Sequence, residues 1–195
     1  MREAVIVSTA RTPIGKAFRG AFNDTQAQEM AGHAIAEAVK RSKVSKEEID
    51  DVIIGAAGQQ GSQQGNIARQ SLLRAGLPVS VAGMSLDRQC ASGMMAIATA
   101  AKEITEDGMT ITVGGGVESV SLVRNENFRM DRARDPWLEE NIPSLYMTMI
   151  ETAENVAKRY GISREAQDEY SLQSQMRTAR AQQNGYMLSL IHISE

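Results

Sequence analysis

The sequence predicts an α/β protein with a mainly parallel sheet and helices on both faces. Short β-branched runs alternate with amphipathic stretches between residues 1 and 113, which is the pattern of β-α-β units. The runs at residues 4–7 and 52–54 do not alternate with polar residues, as is typical of strands covered on both faces, whereas those at residues 79–86 and 109–113 do alternate. Aromatic residues make up 4% of the chain, whereas Ala, Gly and Met are plentiful, so helices and strands can approach closely.

The predicted elements follow one another in the order β-α-β-α-β-α-β. The strands are expected at residues 4–7, 52–54, 79–86 and 109–113. The helices between them are expected at residues 27–39, 67–75 and 91–107. Thr25 and Gln28 form the pattern of a capping box before the first helix. This alternation predicts right-handed crossovers, which place the helices on both faces of the sheet.

The pattern changes after Glu118. Residues 119–145 show no clean period and are rich in Arg, Asn, Asp and Pro, which favours a lid or cap over a linker. Two further helices are expected at residues 151–160 and 163–184, with Ser163 as an N-cap.

The composition excludes several classes of protein. The chain has 21 basic and 24 acidic residues and a net charge of −3, which lacks the basic excess of nucleic-acid binders. Its one cysteine, Cys90, excludes an internal disulfide, and with only His33 and His192 it excludes a cysteine-rich zinc site. His33 lies off the apolar stripe of its helix, which favours a solvated position.

The sequence also carries no targeting or membrane signal. No apolar run approaches the ~20 residues that span a bilayer. Residues 1–10 lack the basic and apolar regions of a signal peptide. We therefore expect a cytoplasmic location, with neither a membrane nor a nucleic acid as partner.

Cys90 is the residue whose position points most directly to chemistry. It stands between a predicted strand and a predicted helix, at the edge where ligands of open α/β sheets bind. The positive end of the helix dipole and free backbone N–H groups favour a thiolate there. Gly93, one turn into the helix, leaves space for a close backbone approach. Placement alone leaves two interpretations open: a nucleophile that forms a thioester with an acyl group, and a buried, inert cysteine.

The segment after the fourth predicted strand is expected to be structural. Gly114, Gly115 and Gly116 match neither a phosphate-binding loop nor a dinucleotide fingerprint, and they favour a tight turn with close backbone packing. Glu118 is expected to accept hydrogen bonds from a neighbouring loop rather than act as an acid or base. The four arginines within residues 124–134 are interleaved with acidic residues, which favours a solvated mixed surface over an anion site.

Several segments resemble the thiolase family. Residues 86–94, Leu-Asp-Arg-Gln-Cys-Ala-Ser-Gly-Met, resemble the nucleophilic-cysteine motif of thiolases. Residues 4–15 resemble their first strand and loop, and residues 114–119, Gly-Gly-Gly-Val-Glu-Ser, resemble their Gly-Gly-x-Glu-Ser segment. Residues 149–157 resemble a helix of their cap domain, and residues 163–185 resemble the helix after it. The motifs occur in the family's order along nearly the whole chain, which makes the resemblance specific.

The resemblance implies a thiolase-like layered fold of two similar halves with an inserted helical cap, of which this chain holds the N-terminal half. It implies acyl transfer between acyl-CoA thioesters, either thiolysis of a 3-ketoacyl-CoA or condensation of two acyl-CoA molecules. Cys90 would attack the thioester and hold the acyl group, and its backbone N–H would help to hold an oxyanion. Met149 matches the family position that lines the pantetheine channel. Coenzyme A would be a substrate rather than a bound cofactor, and the family is usually homo-oligomeric.

The resemblance also implies residues that this sequence does not supply. A second half of the thiolase chain provides a histidine, an asparagine and a second cysteine, and neither His33 nor His192 stands in a matching motif. Thr148 stands where many members have histidine. The chain as given is therefore expected to be a truncated, nearly inactive portion.

The resemblance sets the expected domains and the alternatives. We expect an N-terminal thiolase half at residues 1–118, a partial cap at 119–187, and an aberrant, non-native tail at 188–195, which resembles no part of the family. A ketosynthase-like condensing enzyme shares the cysteine turn and is the alternative enzyme. A non-catalytic fragment that binds acyl-CoA is the alternative from another class.

Overall fold

The computed structural model describes residues 2–188. These residues form two compact units, which divide between Phe128 and Arg129. The first unit is a layered α/β structure and the second is helical, so the predicted fold class is confirmed. None of the helices in the described residues is long and apolar enough to cross a membrane. The domain boundaries expected at residues 118 and 187 stay predictions, and residues 189–195 of the expected aberrant tail lie outside the described residues.

The first unit is built on a parallel sheet of three strands. The strands are β1 (Asp51–Gly55), β2 (Ala82–Leu86) and β3 (Thr112–Gly116). Their order is β2-β1-β3, and Gly55 at the end of β1 lies opposite both Leu86 and Gly116. The carboxyl ends of the three strands therefore lie together at one edge of the sheet.

Helices cover both faces of β1, and all five of its residues are buried. The helices of this unit are α1 (Ala27–Ser42), α2 (Ile67–Arg74), α3 (Ser92–Thr105) and the short α4 (Val120–Val123), with 3₁₀ turns at Lys46–Glu48 and Gly61–Gln63. Because side chains alternate along a strand, Val52 and Ile54 join the core formed with α1 and α2, whereas Ile53 packs against Ala96 and Ala100 of α3. Full burial of a side chain such as Ile53 contributes about 1.5–3 kcal/mol.

The strand predicted at residues 4–7 is wrong. The segment has no strand pairing, and Val5, Ile6 and Val7 are 71%, 78% and 68% exposed. Both ladder sides of β1 are already taken by β2 and β3. A β-branched run becomes a strand only where a neighbour offers hydrogen bonds, and no strand of the described residues pairs with this segment. The chain just after it contacts α1 instead, where the Ser8 hydroxyl donates to the Ala38 carbonyl at 2.7 Å.

The turn predicted at the three consecutive glycines is also wrong, although the close packing predicted with it is present. The glycines form the second half of β3, and α3 lies against them. A methyl carbon on Gly114 would lie 2.8 Å from the Cα atom of Ile97, and one on Gly116 would lie 3.0 Å from the Cα atom of Gly93. The glycines therefore serve the close approach of a helix to an extended strand.

The first helix begins without the predicted capping box. Its N-cap is Gln26, which makes no side-chain cap hydrogen bond. The Nε2 atom of Gln28 donates to Oε1 of Gln70 at 2.7 Å, so this side chain joins α1 to α2. The Gln28 side chain therefore bonds to a neighbouring helix, and not to the start of its own helix as the capping-box pattern predicted.

The second unit contains the helices predicted after the irregular segment. They are α6 (Met149–Tyr160) and α7 (Arg164–Gln183), and α5 (Pro136–Asn141) and a 3₁₀ turn at Pro143–Tyr146 precede them. Ser163 accepts a hydrogen bond from the backbone N–H of Ala166 at 3.2 Å, which confirms it as an N-cap. Thr148 and Glu151 form a reciprocal capping box at the start of α6, with hydrogen bonds of 3.2 and 2.8 Å. Thr148 is thus the N-cap of α6 in this chain.

Candidate active site

The turn between β2 and α3 carries Cys90, and its thiol is free and exposed. Ala91 is the N-cap of α3, so the cysteine stands two residues before the first helical residue. The turn lies at the edge of the sheet where the carboxyl ends of the strands meet. The exposure contradicts the interpretation of Cys90 as a buried cysteine.

The backbone before Cys90 has an unusual conformation that side chains hold in place. Gln89 has a φ of 49°, in the left-handed region that residues other than glycine rarely adopt. The Asp87 Oδ1 atom accepts from the Gln89 N–H at 2.7 Å. The Ser92 hydroxyl accepts from the Arg88 N–H at 2.8 Å and donates to the Gln89 carbonyl at 2.6 Å. The turn is thus held by hydrogen bonds on both sides of Gln89.

Small residues let the first turn of α3 lie directly on the sheet edge. A methyl carbon on Gly55 would overlap the carbonyl carbon of Ser92. Gly93 and Gly116 likewise approach each other so closely that a methyl carbon on Gly116 would lie 3.0 Å from the Gly93 Cα atom. Backbone N–H groups at a helix N-terminus carry a positive potential that favours anionic groups. This packing places the N-terminus of α3, with those N–H groups, at the edge of the sheet that carries the thiol.

Glu118 ties together the loops that follow β1 and β3. Its carboxylate accepts from the backbone N–H groups of Ala57 at 2.9 Å and Gly58 at 3.3 Å, and from the Gln63 side-chain amide at 2.6 Å. Gln63 is 1% exposed and also accepts a hydrogen bond from the Ser119 N–H. The prediction that Glu118 accepts hydrogen bonds from a neighbouring loop is confirmed. Sequence reasoning missed Gln63, because the Gln-rich segment around it has no period that marks one position as buried.

The other residues singled out from the sequence lie outside this turn. Met149 is the first residue of α6 and is 76% exposed, and its role in a pantetheine channel stays a prediction. His33 is exposed on α1, which confirms the predicted solvated position. His192 lies outside the described residues. Among residues 2–188, no three His, Cys, Asp or Glu side chains are grouped so that they could hold a metal ion.

Two of the clustered arginines form exposed ion pairs. Arg129 lies 3.0 Å from Asp131, and Arg134 lies 3.0 Å from Glu139. Each pair is at the surface, where such contacts contribute little to stability. For these two arginines, the predicted mixed, solvated surface is confirmed.

Two buried carboxyl groups lie at the opposite end of β1 from the thiol. Asp51 is 9% exposed and Glu103 is 8% exposed. Burial raises the pKa of Asp51, a hydrogen bond from the Val52 N–H lowers it, and the Asp50 charge raises it. Burial also raises the pKa of Glu103, and the charges of Asp51 and Asp107 raise it further. Asp51 is the first residue of β1, whereas Cys90 follows the carboxyl end of β2, so these two carboxyls are not part of the turn that carries the thiol.

The first unit is thus a parallel α/β layer with an exposed thiol on the turn between a strand end and a helix N-terminus, at the edge of the sheet where ligands of open α/β folds bind. Residues 4–192 match the family model described as "Thiolase, N-terminal domain". The chain belongs to the thiolase family.

Individual relatives agree with the family match. The 3-ketoacyl-CoA thiolase of Bacillus subtilis (strain 168) is 40% identical over 187 residues, which cover 95% of this chain and 47% of that protein. The acetyl-CoA acetyltransferase of Cupriavidus necator is 39% identical over 195 residues, which cover 95% of this chain and 49% of that protein. The crystal structure of the Bacillus anthracis acetyl-CoA acetyltransferase matches 98% of this chain and 50% of its own, with a TM-score of 0.77 and 36% identity. The chain spans about half the length of the curated relatives it matches.

Proposed function

We propose that this chain contributes the nucleophilic half of an acyl-CoA C-acyltransferase of the thiolase type. The observation that carries the proposal is the exposed Cys90 thiol on the turn between β2 and α3, in a chain of the thiolase family. The relatives named above are a 3-ketoacyl-CoA thiolase and an acetyl-CoA acetyltransferase, which supports acyl-CoA and CoA as the substrate class. The same names favour a thiolase over a ketosynthase-like condensing enzyme.

The proposed first step is transfer of the acyl group to Cys90. The cysteine sulfur bonds to the thioester carbonyl carbon, the bond from that carbon to the CoA sulfur breaks, and CoA leaves as a thiol with the proton of Cys90. The backbone N–H of Cys90 is proposed to donate to the oxyanion that forms in between. The acyl-cysteine then passes its acyl group either to CoA or to the carbanion of a second acyl-CoA.

We further propose that residues 1–195 alone complete this cycle poorly. The resemblance assigns the activating histidine, the asparagine and the second cysteine to a second half, and no motif of this sequence matches them. The missing histidine would slow the acylation of Cys90 as well, so the first half-reaction is to be measured on this chain over a prolonged incubation. A cytoplasmic location and a homo-oligomeric state also stay predictions.

The test is to incubate the chain with acetyl-CoA, quench with acid and record the intact mass. We expect the wild-type chain to gain one acetyl group, which peptide mapping assigns to Cys90, the only cysteine of the sequence. The Cys90→Ala variant should gain none, because it lacks the nucleophile. Acetylation that persists in Cys90→Ala would refute the proposal.

A binding measurement in parallel separates the remaining alternative. Tight binding of CoA with no acetyl-cysteine, even after prolonged incubation, would favour the non-catalytic fragment that only binds acyl-CoA. A chain that takes an acyl group from a carrier protein and not from CoA would favour the ketosynthase-like alternative.

A further inference from the structure

The turn that carries Cys90 is held by two side chains that flank the cysteine in sequence. Ser92 is 4% exposed, and its hydroxyl accepts from the Arg88 N–H and donates to the Gln89 carbonyl. Asp87 holds the same segment from the other side, because its carboxylate accepts from the Gln89 N–H at 2.7 Å. We call these two side chains, Asp87 and Ser92, the Gln89 clamp.

The Gln89 clamp bears on the backbone conformation that places the thiol. Gln89 is in the left-handed region, with a φ of 49°, and a glutamine leaves that region readily unless its surroundings hold it. Both the N–H and the carbonyl of Gln89 are held by clamp side chains. The carbonyl of Gln89 belongs to the peptide group that joins Gln89 to Cys90. A hydrogen bond that holds this carbonyl therefore fixes the orientation of that peptide plane, and with it the position of the Cys90 backbone.

The anchor of the clamp is rigid because it is part of α3. Ser92 is the first residue of that helix. Its backbone packs so closely against Gly55 that no side chain would fit at position 55. The hydrogen bonds of the Ser92 hydroxyl therefore fix the position of the turn relative to the edge of the sheet. Two backbone hydrogen bonds also join the turn to the start of the helix, from the Ser92 N–H to the Gln89 carbonyl at 3.1 Å and from the Ala91 N–H to the Arg88 carbonyl at 3.0 Å.

We propose that Asp87 and Ser92 are positioning residues that hold the Cys90 thiol at the N-terminus of α3. The proposal rests on the proposed function, in which Cys90 accepts the acyl group. It assigns neither residue to the reacting atoms, since each acts through Gln89.

The first experiment measures the rate at which iodoacetamide alkylates Cys90 between pH 6 and pH 9. Because Cys90 is the only cysteine, the rate belongs to one thiol. We expect Ser92→Ala to lower the rate at pH 7 by about tenfold and to shift the pH profile, because the thiolate is the reacting form and the N-terminus of α3 favours it. Ser92→Thr, which keeps the hydroxyl, should restore the wild-type profile. Thr99→Ala is the matched control, because it removes a hydroxyl that bonds only to the Met95 carbonyl within α3.

A second pair of variants keeps the test valid even if Ser92→Ala unfolds. Asp87 is exposed, so its substitution leaves the core intact. Asp87→Asn and Asp87→Ala both remove the charge, but only the alanine removes the oxygen that accepts from the Gln89 N–H. We expect Asp87→Ala to alter the alkylation profile relative to Asp87→Asn. Equal profiles for this pair would overturn the role of Asp87, and equal profiles for Ser92→Ala and wild type would overturn that of Ser92.

The acetylation assay distinguishes failure of this proposal from failure of the proposed function. If the variants alter alkylation but the wild-type chain is never acetylated, the clamp stands and the acyl-transfer function fails. If Ser92→Ala and Asp87→Ala form acetyl-cysteine as fast as the wild-type chain and are alkylated at its rate, the clamp fails and the nucleophile stands.

Discussion

Glu118 illustrates how one carboxylate organises the loops around a candidate active site. Its oxygens accept hydrogen bonds from two backbone N–H groups and from the Gln63 side-chain amide. The Gln63 side chain in turn accepts a hydrogen bond from the Ser119 N–H. The two side chains therefore fix the ends of β1 and β3 relative to each other. Loops joined in this way stay ordered even where they lack regular secondary structure.

We expect Glu118→Gln to lower the free energy of unfolding by about 1–3 kcal/mol, because an amide places a donor where only donors surround it. Urea unfolding monitored by circular dichroism measures the change. Glu126→Gln, at an exposed position, is the control and should lie within about 0.5 kcal/mol of wild type. An equal effect of the two substitutions would contradict the structural role of Glu118.

The sequence reveals some site residues and conceals others for a physical reason. Cys90 stands out because a strand pattern ends before it and a helix pattern begins after it. Gln63 does not stand out, because its partner Glu118 lies 55 positions away and its own loop has no period. The left-handed conformation of Gln89 cannot be predicted from the sequence either, because the residue is not a glycine and side-chain hydrogen bonds hold it in that conformation.

At the scale of elements, helices follow local patterns whereas strands depend on neighbours. α7 begins at the predicted cap, Ser163, and α6 begins two residues before its predicted start, because the signals of both helices lie within a few residues. The segment at residues 4–7 has a strand composition, but no described strand pairs with it. β3 starts at Thr112 and includes three glycines because it must accommodate α3 and the register of β1, and neither can be read from the segment itself.

The buried carboxyl pair also results from the meeting of two elements. Asp51 shares the face of β1 that carries Ile53, which packs on α3. Glu103 shares the buried stripe of α3 with Ser92, Ala96 and Ala100. Alternation in the strand and the helical repeat thus bring both carboxyls to one interior face, where Asp50 and Asp107 add negative charge.

We expect the first unit to become less stable as the pH rises from acidic values. The native pKa values of both carboxyls are raised, so the folded chain binds protons that the unfolded chain releases. The stabilisation is fully present below the unfolded pKa of about 4 and is lost as the pH rises through the native pKa values. Glu103→Gln, which cannot ionise, should unfold at a higher temperature than wild type at pH 8 and should show a flatter pH dependence.

Thermal unfolding at intervals between pH 4 and pH 8 makes this measurement. Glu106→Gln provides the control, since this residue is exposed at the C-terminal end of α3. If Glu103→Gln destabilises the chain equally at every pH, the carboxyl serves packing rather than titration.

At the scale of the whole molecule, burial is distributed unequally between the two units. β1 is buried throughout, and α1 buries a face that includes Ile35 and Val39. No residue of α5, α6 or α7 is buried, although α6 carries the apolar residues Met149 and Ile150. Elements with few buried contacts open locally at low free-energy cost.

We expect amide hydrogens of α6 and α7 to exchange about 100-fold faster than those of β1, because local opening exposes them without unfolding the sheet. Hydrogen exchange followed by mass spectrometry tests the difference. α1 is the matched helix, since it is of similar length to α7 but has a buried face, and it should exchange slowly. Equal protection of α7 and α1 would show that the helices of the second unit are held by contacts other than those described.

The position of β1 in the middle of the sheet has a consequence for biosynthesis. The ribosome makes β1 before either of its neighbours, because β2 and β3 both follow it in the chain. α1 and then α2 can shield Val52 and Ile54 early, but Ile53 is left uncovered until α3 has emerged. A nascent chain that stalls between β1 and α3 would therefore present an apolar strand with open hydrogen bonds, the kind of segment that chaperones retain.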